Sequence, residues 1–524
     1  MSTLPQRQYG VFITIALAVI GAVVAGVVLF TSGKASDVDL TTAAFVPDDV
    51  GFYVAINTDL SSSQWVNTFK LLERLGRDDP EQELMDAVTE NGELNWEDDV
   101  VPFLGGNAAV FFRSANLLEG EFEGAAVIRC KDSKRALQVA LDQSAADVTE
   151  GEYAGVAYFQ DAQSGAVLAR MGDHLVVASS EDVFREVVDV QAGRSPSLAK
   201  VAEFRSLRDE LSKNFLAFMY VSPGDLAESI FGEAPELRQA LEEAGAGDLA
   251  FKPSALVVAA RDAGFEFHHA ALGRPGVVAP LVQPRESRFA RLAAADSAIF
   301  ASTAGISKAW DEVVRSAEDE IDDAIAREGA YTSLDDALRA LGDEAGIDSI
   351  EQLIDLFAGE TAVAFAFPRG NTEDAEFVVF AEVKHEAGAR DLLKRVLSKE
   401  RPRALSEQVN GVEMVILESG DREPLAYGLR DGYLALGDVS RVRHVLAGDA
   451  PTLAGSDGYK ASLAQLDTRL GSFAYFDLAA ILGLREAGLP PELDEATRAL
   501  RGLIINIVDE RDVIRFSGAV GIEE

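Results

Sequence analysis

Two stretches of this chain match each other: Phe103-Leu-Gly-Gly-Asn-Ala-Ala-Val-Phe-Phe112 and Phe357-Ala-Gly-Glu-Thr-Ala-Val-Ala-Phe-Ala366. Each places a glycine-containing turn before a run of apolar residues, a pattern typical of a buried strand. Further matches follow in the same order about 250 residues apart: Ala192–Leu198 with Ala447–Leu453, Asn214–Tyr220 with Gly471–Asp477, and Trp65 with Trp310. A common order at one period predicts two homologous modules, residues 43–283 and 284–524, joined through the proline-rich stretch Arg274–Pro284.

Both modules repeat one pattern of apolar runs bounded by turn residues. A strand opens each module (50–56 and 298–303), and an amphipathic helix follows (63–75 and 307–321). The later strands are predicted at 108–112, 125–130, 155–159, 166–170, 175–178, 256–260 and 265–272, and at 362–367, 377–383, 411–417, 426–429, 433–436, 503–508 and 513–520. Hairpin spacing between neighbouring runs favours antiparallel pairing. The prediction is an α+β fold, with mostly antiparallel sheet and helices packed on one face.

An uncharged apolar run, Val11–Phe30, precedes the modules. At 1.5 Å rise per residue it is long enough to cross the hydrocarbon core of a membrane, and the sequence after it is a poor cleavage site. We therefore predict an uncleaved transmembrane helix at 11–30, with a short cytoplasmic N-terminus (1–10) and a tether (31–42). The single charged residue before the run, Arg7, favours an extracytoplasmic C-terminal region. Ala18, Ala22 and Gly26 share one helix face and would suit self-association.

The composition is strongly acidic, with 87 Asp and Glu against 47 Lys and Arg and a formal charge of −40. A field of this sign repels phosphate backbones, which argues against nucleic acid as a partner. The hydrophobic content of 48% is enough for well-packed cores. Since Cys130 is the only cysteine, no intramolecular disulfide can form, and its apolar surroundings in the sequence predict a small buried side chain.

No motif of known chemistry is present. The sequence contains no glycine-rich phosphate loop, nucleophile elbow, zinc-binding helix or paired cysteines. The only adjacent histidines, His268 and His269, would point to opposite faces of a strand and cannot easily share a metal ion. We therefore predict no catalytic residue, no cofactor and no metal site.

Trp65 and Trp310 are the two candidate functional residues. Each begins an amphipathic helix at the same place in its module. A core anchor that packs on the sheet is the simpler interpretation, and an aromatic platform for a ligand is the alternative.

The opening of the first module, Phe45-Val-Pro-Asp-Asp-Val-Gly-Phe-Tyr-Val-Ala-Ile-Asn57, precedes the helical stretch Ser63-Gln-Trp-Val-Asn-Thr-Phe-Lys-Leu-Leu-Glu-Arg-Leu75. This pattern of Val-Pro, strand and Gln-Trp helix resembles an uncharacterised bacterial family, domain of unknown function 3352. The resemblance covers most of the chain from about Phe45 onward. It implies a membrane anchor followed by a long extracytoplasmic α+β region, and it brings no activity, cofactor or functional residue.

These observations favour a non-enzymatic extracytoplasmic module that binds a ligand or another envelope protein, or that serves as a scaffold. Its expected partners are the membrane, through residues 11–30, and an envelope protein or a second copy of the chain. The alternative is an extracytoplasmic hydrolase that uses carboxylates dispersed in the sequence. A deep pocket with carboxylates of raised pKa would indicate the hydrolase, whereas an apolar groove would indicate binding.

Overall fold

The structure is a computed structural model. It describes residues 40–89, 94–116, 121–143, 148–222, 252–272, 287–304, 336, 339–340, 356, 359–368, 370–372, 374–400, 403–418, 423–464, 466, 471–483, 499–510 and 513–522. The chain divides into two compact units, the first ending at Leu272 and the second beginning at Gly273. The predicted junction, 274–284, lies outside the described residues, as do the predicted anchor at 11–30 and the tether as far as residue 39. No helix in the described ranges is both apolar and long enough for a membrane crossing.

The described part of the first unit contains ten strands, which all pair antiparallel within the unit. They are β1 (Phe52–Ile56), β2 (Ala108–Asn116), β3 (Glu121–Arg129), β4 (Val148–Tyr153), β5 (Val156–Asp161), β6 (Val167–Met171), β7 (His174–Ala178), β8 (Ala217–Val221), β9 (Ser254–Arg261) and β10 (Gly264–Leu272). Their order across the sheet is β4-β5-β6-β7-β3-β2-β1-β8-β9-β10.

Helices of the first unit lie between these strands. They are α1 (Ser63–Arg74), α2 (Pro80–Thr89), α3 (Ser133–Asp142), α4 (Glu181–Gln191) and α5 (Ala202–Glu210). Short 3-10 turns at Thr41–Ala44, Val101–Phe103 and Leu198–Lys200 and a π turn at Trp96–Val100 complete the connections. Side chains cap the N-termini of several of these helices, because they accept hydrogen bonds from backbone N–H groups that have no partner in the first turn. The Asp132 carboxylate accepts from the N–H groups of Lys134 and Arg135 at the start of α3.

The second unit has the same strand order. Its strands are β11 (Ile299–Ala304), β12 (Glu360–Ala366), β13 (Glu376–Glu382), β14 (Arg403–Val409), β15 (Val412–Glu418), β16 (Leu425–Arg430), β17 (Tyr433–Asp438), β18 (Ser472–Asp477), β19 (Leu500–Glu510) and β20 (Val513–Ile522). They are ordered β14-β15-β16-β17-β13-β12-β11-β18-β19-β20, and every pairing within the unit is antiparallel. The described helices are α6 (Glu386–Glu400), α7 (Val439–Ala447), α8 (Asp457–Ala464) and α9 (Leu478–Leu482). The predicted mostly antiparallel sheet with helices is confirmed.

The two units also share backbone register. Gly51 N–H donates to the Phe112 carbonyl in the first unit (3.1 Å), and Ala298 N–H donates to the Phe365 carbonyl in the second (2.8 Å). Further equivalent bonds join Ser222 to Gly51 and Asp477 to Ala298, and Leu198 to Val46 and Leu453 to Ala293. This register makes β1 equivalent to β11, β2 to β12, and β8 to β18. This register aligns Ala108 with Thr361, whereas the sequence repeat aligns Ala108 with Ala362.

Helices cover both faces of the second sheet, so the prediction that they pack on one face is wrong. Tyr433 and Ala435 on β17 belong to a core cluster that contains Val442 and Leu446 of α7. The intervening residue Leu434 belongs to a second cluster, with Ala389 of α6. Since successive side chains of a strand point to opposite faces, α6 and α7 pack on opposite sides of one sheet.

The outermost described hairpin strands, β4 and β14, were missing from the sequence prediction. Their residues are largely exposed, so neither strand shows the alternation of apolar and polar residues that marks a half-buried strand. A different signal was available, because Ala154-Gly155 and Asn410-Gly411 form two-residue turns in which all four residues have positive φ. Asn-Gly is the most favourable dipeptide for such a hairpin turn.

Candidate functional site

Trp65 is a core anchor of the first unit. Its side chain is fully buried, and its indole N–H donates to the Asn57 carbonyl (2.8 Å). The neighbouring Gln64 is buried too, and its side-chain oxygen accepts from the N–H of Ala260 on β9 (2.7 Å). The Gln-Trp pair therefore joins α1 both to the end of β1 and to β9. This geometry corresponds to the packing interpretation of Trp65, because the ring offers no exposed face to a ligand.

Trp310, the second tryptophan singled out from the sequence, lies outside the described residues. The role of Trp310 therefore stays a prediction.

His174 and Cys130 occupy buried packing positions. His174 packs against Phe45 with ring centroids 4.5 Å apart, and burial, only partly offset by Asp173, lowers its pKa. Burial raises the pKa of the Cys130 thiol to about 12, which removes the thiolate needed for nucleophilic attack. No group of three or more His, Cys, Asp or Glu side chains within the described ranges is arranged to hold a metal ion.

One buried charged cluster lies at the β9–β10 hairpin. The Glu266 carboxylate is fully buried, accepts from Arg261 Nε (2.6 Å), and contacts His268 Nε2. Burial alone would raise the pKa of Glu266, but the bonds to His268 and Arg261 outweigh it, so the pKa falls below its usual range. A carboxylate held ionised by two partners is a structural element and not a general acid.

A cavity of about 520 Å³ opens on one face of the second sheet. Its walls come from five adjacent strands, β13, β12, β11, β18 and β19, and none of the lining residues is charged. They are Ala301, Ser302, Thr303, Thr361, Ala362, Val363, Val379, Ser472, Phe473, Ala474, Phe476, Ile505 and Ile507. Phe300 and Phe380 of the same strands belong to the buried cluster under α7, so the cavity lies on the opposite face. Val379, on the wall formed by β13, is 37% exposed, which shows that the cavity is open. We call it the apolar groove.

Strand register arranges the groove in three rows that run across the sheet. The middle row has small residues at its centre, where Ala301 pairs with Ala474, and larger ones outside: Val379, Val363 and Ile505. The next row towards one end, which we call the aromatic row, contains Phe365, Ile299 and Phe476, of which Phe476 lines the cavity. At the other end a hydroxyl row contains Thr361, Thr303 and Ser472, in which the Thr303 and Ser472 hydroxyls lie 2.6 Å apart and bond to each other.

The equivalent face of the first unit is filled. By backbone register, Ile56 stands where Thr303 stands in the second unit, and Ala108 where Thr361 stands. Ile56, Ala108 and Val110 are buried in one cluster with Phe103, which comes from the 3-10 turn before β2. On the neighbouring strand, Ala217 and Met219 correspond to Ser472 and Ala474. The second unit thus carries smaller central side chains and a row of hydroxyls where the first carries aliphatic core.

Sequence reasoning missed the groove. Its residues are separated by up to 206 positions, from Ala301 to Ile507, and they meet only through strand pairing. The repeat contained a partial signal. At the correct register, the hydroxyl residues of the second module align with apolar residues of the first: Thr361 with Ala108, Thr303 with Ile56, and Ser472 with Ala217.

Three comparisons relate the chain to known proteins. A comparison with curated proteins found no match. Solved structures with some likeness include three crystal forms of the protein TP0453, each 9% identical in sequence. They cover 44%, 46% and 44% of this chain and 78%, 79% and 81% of the other, with TM-scores of 0.26, 0.25 and 0.25. Likeness at this level is too slight to support an argument about function.

The family comparison is decisive. The profile described as "Protein of unknown function (DUF3352)" matches residues 11–506, which is most of the chain. The resemblance noted from the Val-Pro strand and the Gln-Trp helix is thereby confirmed. The chain belongs to the family of proteins of unknown function DUF3352.

Proposed function

We propose that this protein is a non-enzymatic binding module of the cell envelope, tethered to the membrane by residues 11–30, with its two units outside the cytoplasm. The observation that carries the proposal is the apolar groove, a concave and uncharged site open at its rim. Small-molecule sites commonly have volumes of roughly 300–1,000 Å³ and predominantly apolar walls. The family match begins at residue 11, the first residue of the proposed anchor, which supports the anchor as part of the family's architecture.

We further propose that the two units arose by duplication of one module and then diverged. Their identical strand order and their equivalent backbone hydrogen bonds support this history. Divergence then concentrated on one face of the sheet, where one copy kept a closed core and the other opened a groove.

The hydrolase alternative lacks a supporting observation in the described part of the chain. Glu181, Glu266 and Glu407 are the described carboxyl groups with displaced pKa values, and all three are lowered by bonds to neighbouring donors. A general acid requires a raised pKa.

Crosslinking of the full chain in its native membrane, followed by identification of what it captures, tests the proposed function. We expect a small apolar ligand or an envelope protein attached to the second unit. Recovery of the chain alone would contradict binding and favour self-association. Protease treatment of intact cells tests the placement, since an untouched chain would contradict an extracytoplasmic location.

A further inference from the structure

We propose that the apolar groove binds a single-chain amphiphile of the long-chain fatty acid type. The hydrocarbon chain lies over the middle and aromatic rows, and the polar end lies at the hydroxyl row. This inference rests on the proposed binding function and names the class of ligand that the groove takes.

The middle of the groove suits a hydrocarbon chain. Its central residues, Ala301 and Ala474, are small and lie side by side, while Val363, Val379 and Ile505 stand higher on the neighbouring strands. A low centre between higher sides makes a trough. No charged side chain lines it, and the strand ladders use the backbone polar groups, so methylene groups meet only apolar partners there.

The two ends of the trough differ in polarity. From Ile299 to Thr303, β11 runs about 14 Å at 3.4 Å per residue, from the aromatic row to the hydroxyl row. The mutual bond between Thr303 and Ser472 uses one of their two hydroxyl hydrogens, so the other is available for donation to a ligand oxygen. Thr361 adds a third hydroxyl beside Thr303. A ligand that is apolar along its length and accepts hydrogen bonds at one end matches this gradient.

The contrast with the first unit indicates that the hydroxyl row is not required by the fold. The same three backbone positions there carry Ala108, Ile56 and Ala217, of which Ala108 and Ile56 are buried in the apolar cluster and Ala217 is half-buried. One chain of modest length also fits the volume of about 520 Å³ better than a two-chain lipid.

Cysteine protection in the full chain tests the proposal in membrane vesicles. The native Cys130 is buried and its pKa is about 12, so Thr303→Cys introduces the reactive thiol. Palmitate, delivered from albumin, should slow alkylation of T303C by a maleimide about tenfold, because a bound ligand occludes the thiol. Val148→Cys is the matched control, since Val148 is exposed on β4 and its alkylation should not respond to palmitate.

Two results would overturn the proposal. Equal alkylation of T303C with and without palmitate would mean that no fatty acid binds. An unreactive T303C in the absence of palmitate, with V148C reactive, would mean that another segment of the chain fills the groove.

Photolabelling locates the ligand and separates its sources. Palmitic acid with a photoactivatable group in its chain should label β11, β12, β18 and β19 of the wild-type chain. Ala301→Val with Thr303→Ile and Ala474→Met gives the groove the side chains of the first unit and should reduce this labelling about tenfold. Ser472→Ala with Thr361→Val should weaken it less, since only the polar end is lost. Stronger labelling by a photoactivatable two-chain phosphatidylcholine than by palmitate would overturn the single-chain assignment.

Failure of this inference is distinguishable from failure of the proposed function. If palmitate neither protects nor labels, but crosslinking in the native membrane still captures a partner on the second unit, then the amphiphile is wrong and the binding function stands. If neither experiment yields a bound molecule, both are wrong.

Discussion

The first and second units place different side chains on equivalent faces of their sheets. In the first, Ile56, Val110 and Ala126 are buried with Phe103 in a closed core. In the second, Thr303, Val363 and Val379 line an open groove. The strand order and register are the same, so the residues compared occupy equivalent positions in the two sheets. The comparison teaches that a site in this chain is to be sought in what differs between the units, since a shared fold can carry unrelated functions.

The largest expected effect concerns the buried Trp65 of the first unit. Trp65→Ala should destabilise the first unit by about 3–5 kcal/mol, because it removes a fully buried indole and its bond to Asn57. Hydrogen exchange of β1 and β9 peptides, followed by mass spectrometry, measures the loss, and peptides of β12 and β13 should not change. Trp96→Ala, at a half-buried tryptophan, is the control and should cost less than half as much. Equal losses of stability in the Trp65→Ala and Trp96→Ala variants would contradict the anchoring role of Trp65.

The charged cluster of the first unit is not repeated residue for residue in the second, since strand register places Arg515 at the position of Glu266 and Ser517 at that of His268. Glu266→Gln should destabilise the first unit by about 3 kcal/mol at pH 7, because Arg261 and His268 lose a buried partner. The pKa of Glu266 is lowered in the folded state, so its contribution is present above the unfolded value of about 4.3 and is lost as the pH falls further. Hydrogen exchange of β9 and β10 peptides as a function of pH measures both effects.

The difference in the free energy of unfolding between wild type and Glu266→Gln should therefore shrink below about pH 4. Glu150→Gln, at an exposed position on β4, serves as the control and should change neither the stability nor its pH dependence. A difference that stays constant down to pH 2 would show that the negative charge of Glu266 does not carry its contribution to stability.

Exchange of side chains between the faces tests the comparison directly. Ile56→Thr should destabilise the first unit by about 2 kcal/mol, since it places a hydroxyl among the apolar side chains of the buried cluster. The reverse change, Thr303→Ile, should alter the stability of the second unit by less than about 1 kcal/mol, because the groove has room for the larger side chain. Hydrogen exchange of β1 and β11 peptides measures both changes. Similar costs in both directions would mean that the two faces are equally well packed.

The smallest expected effect concerns the hairpin turns. Ala154 and Asn410 occupy equivalent positions with φ of 51° and 49°, a conformation that asparagine adopts more readily than alanine. Ala154→Asn should stabilise the β4–β5 hairpin, and Asn410→Ala should destabilise the β14–β15 hairpin, each by about 1 kcal/mol. Asn410 also loses its bond to the Ala447 carbonyl. Exchange rates of the hairpin amides are the measurement, and two changes of the same sign would contradict the assignment of the turns.

Much of the fold was predictable because local patterns carry it. Apolar runs bounded by turn residues located most of the strands. The repeat predicts a module boundary at 283–284, and the chain divides into two compact units after Leu272. Strands β4 and β14 escaped because exposure on both faces removes the alternation. The placement of helices on both faces was not predicted either. The sequence pattern reveals that a helix has an apolar face, but it does not reveal on which side of the sheet that face packs.

The sequence by itself determined the α+β composition and the family. It predicts two modules and a packing role for Trp65. It also predicts the anchor at 11–30, which lies outside the described residues. Only the tertiary structure decided where a site lies. The groove depends on register across five strands, and a shift of one residue turns every side chain to the other face. Ala301, Ala474 and Ile505 form one row because β11, β18 and β19 pair in that register, and no local pattern in the chain encodes this.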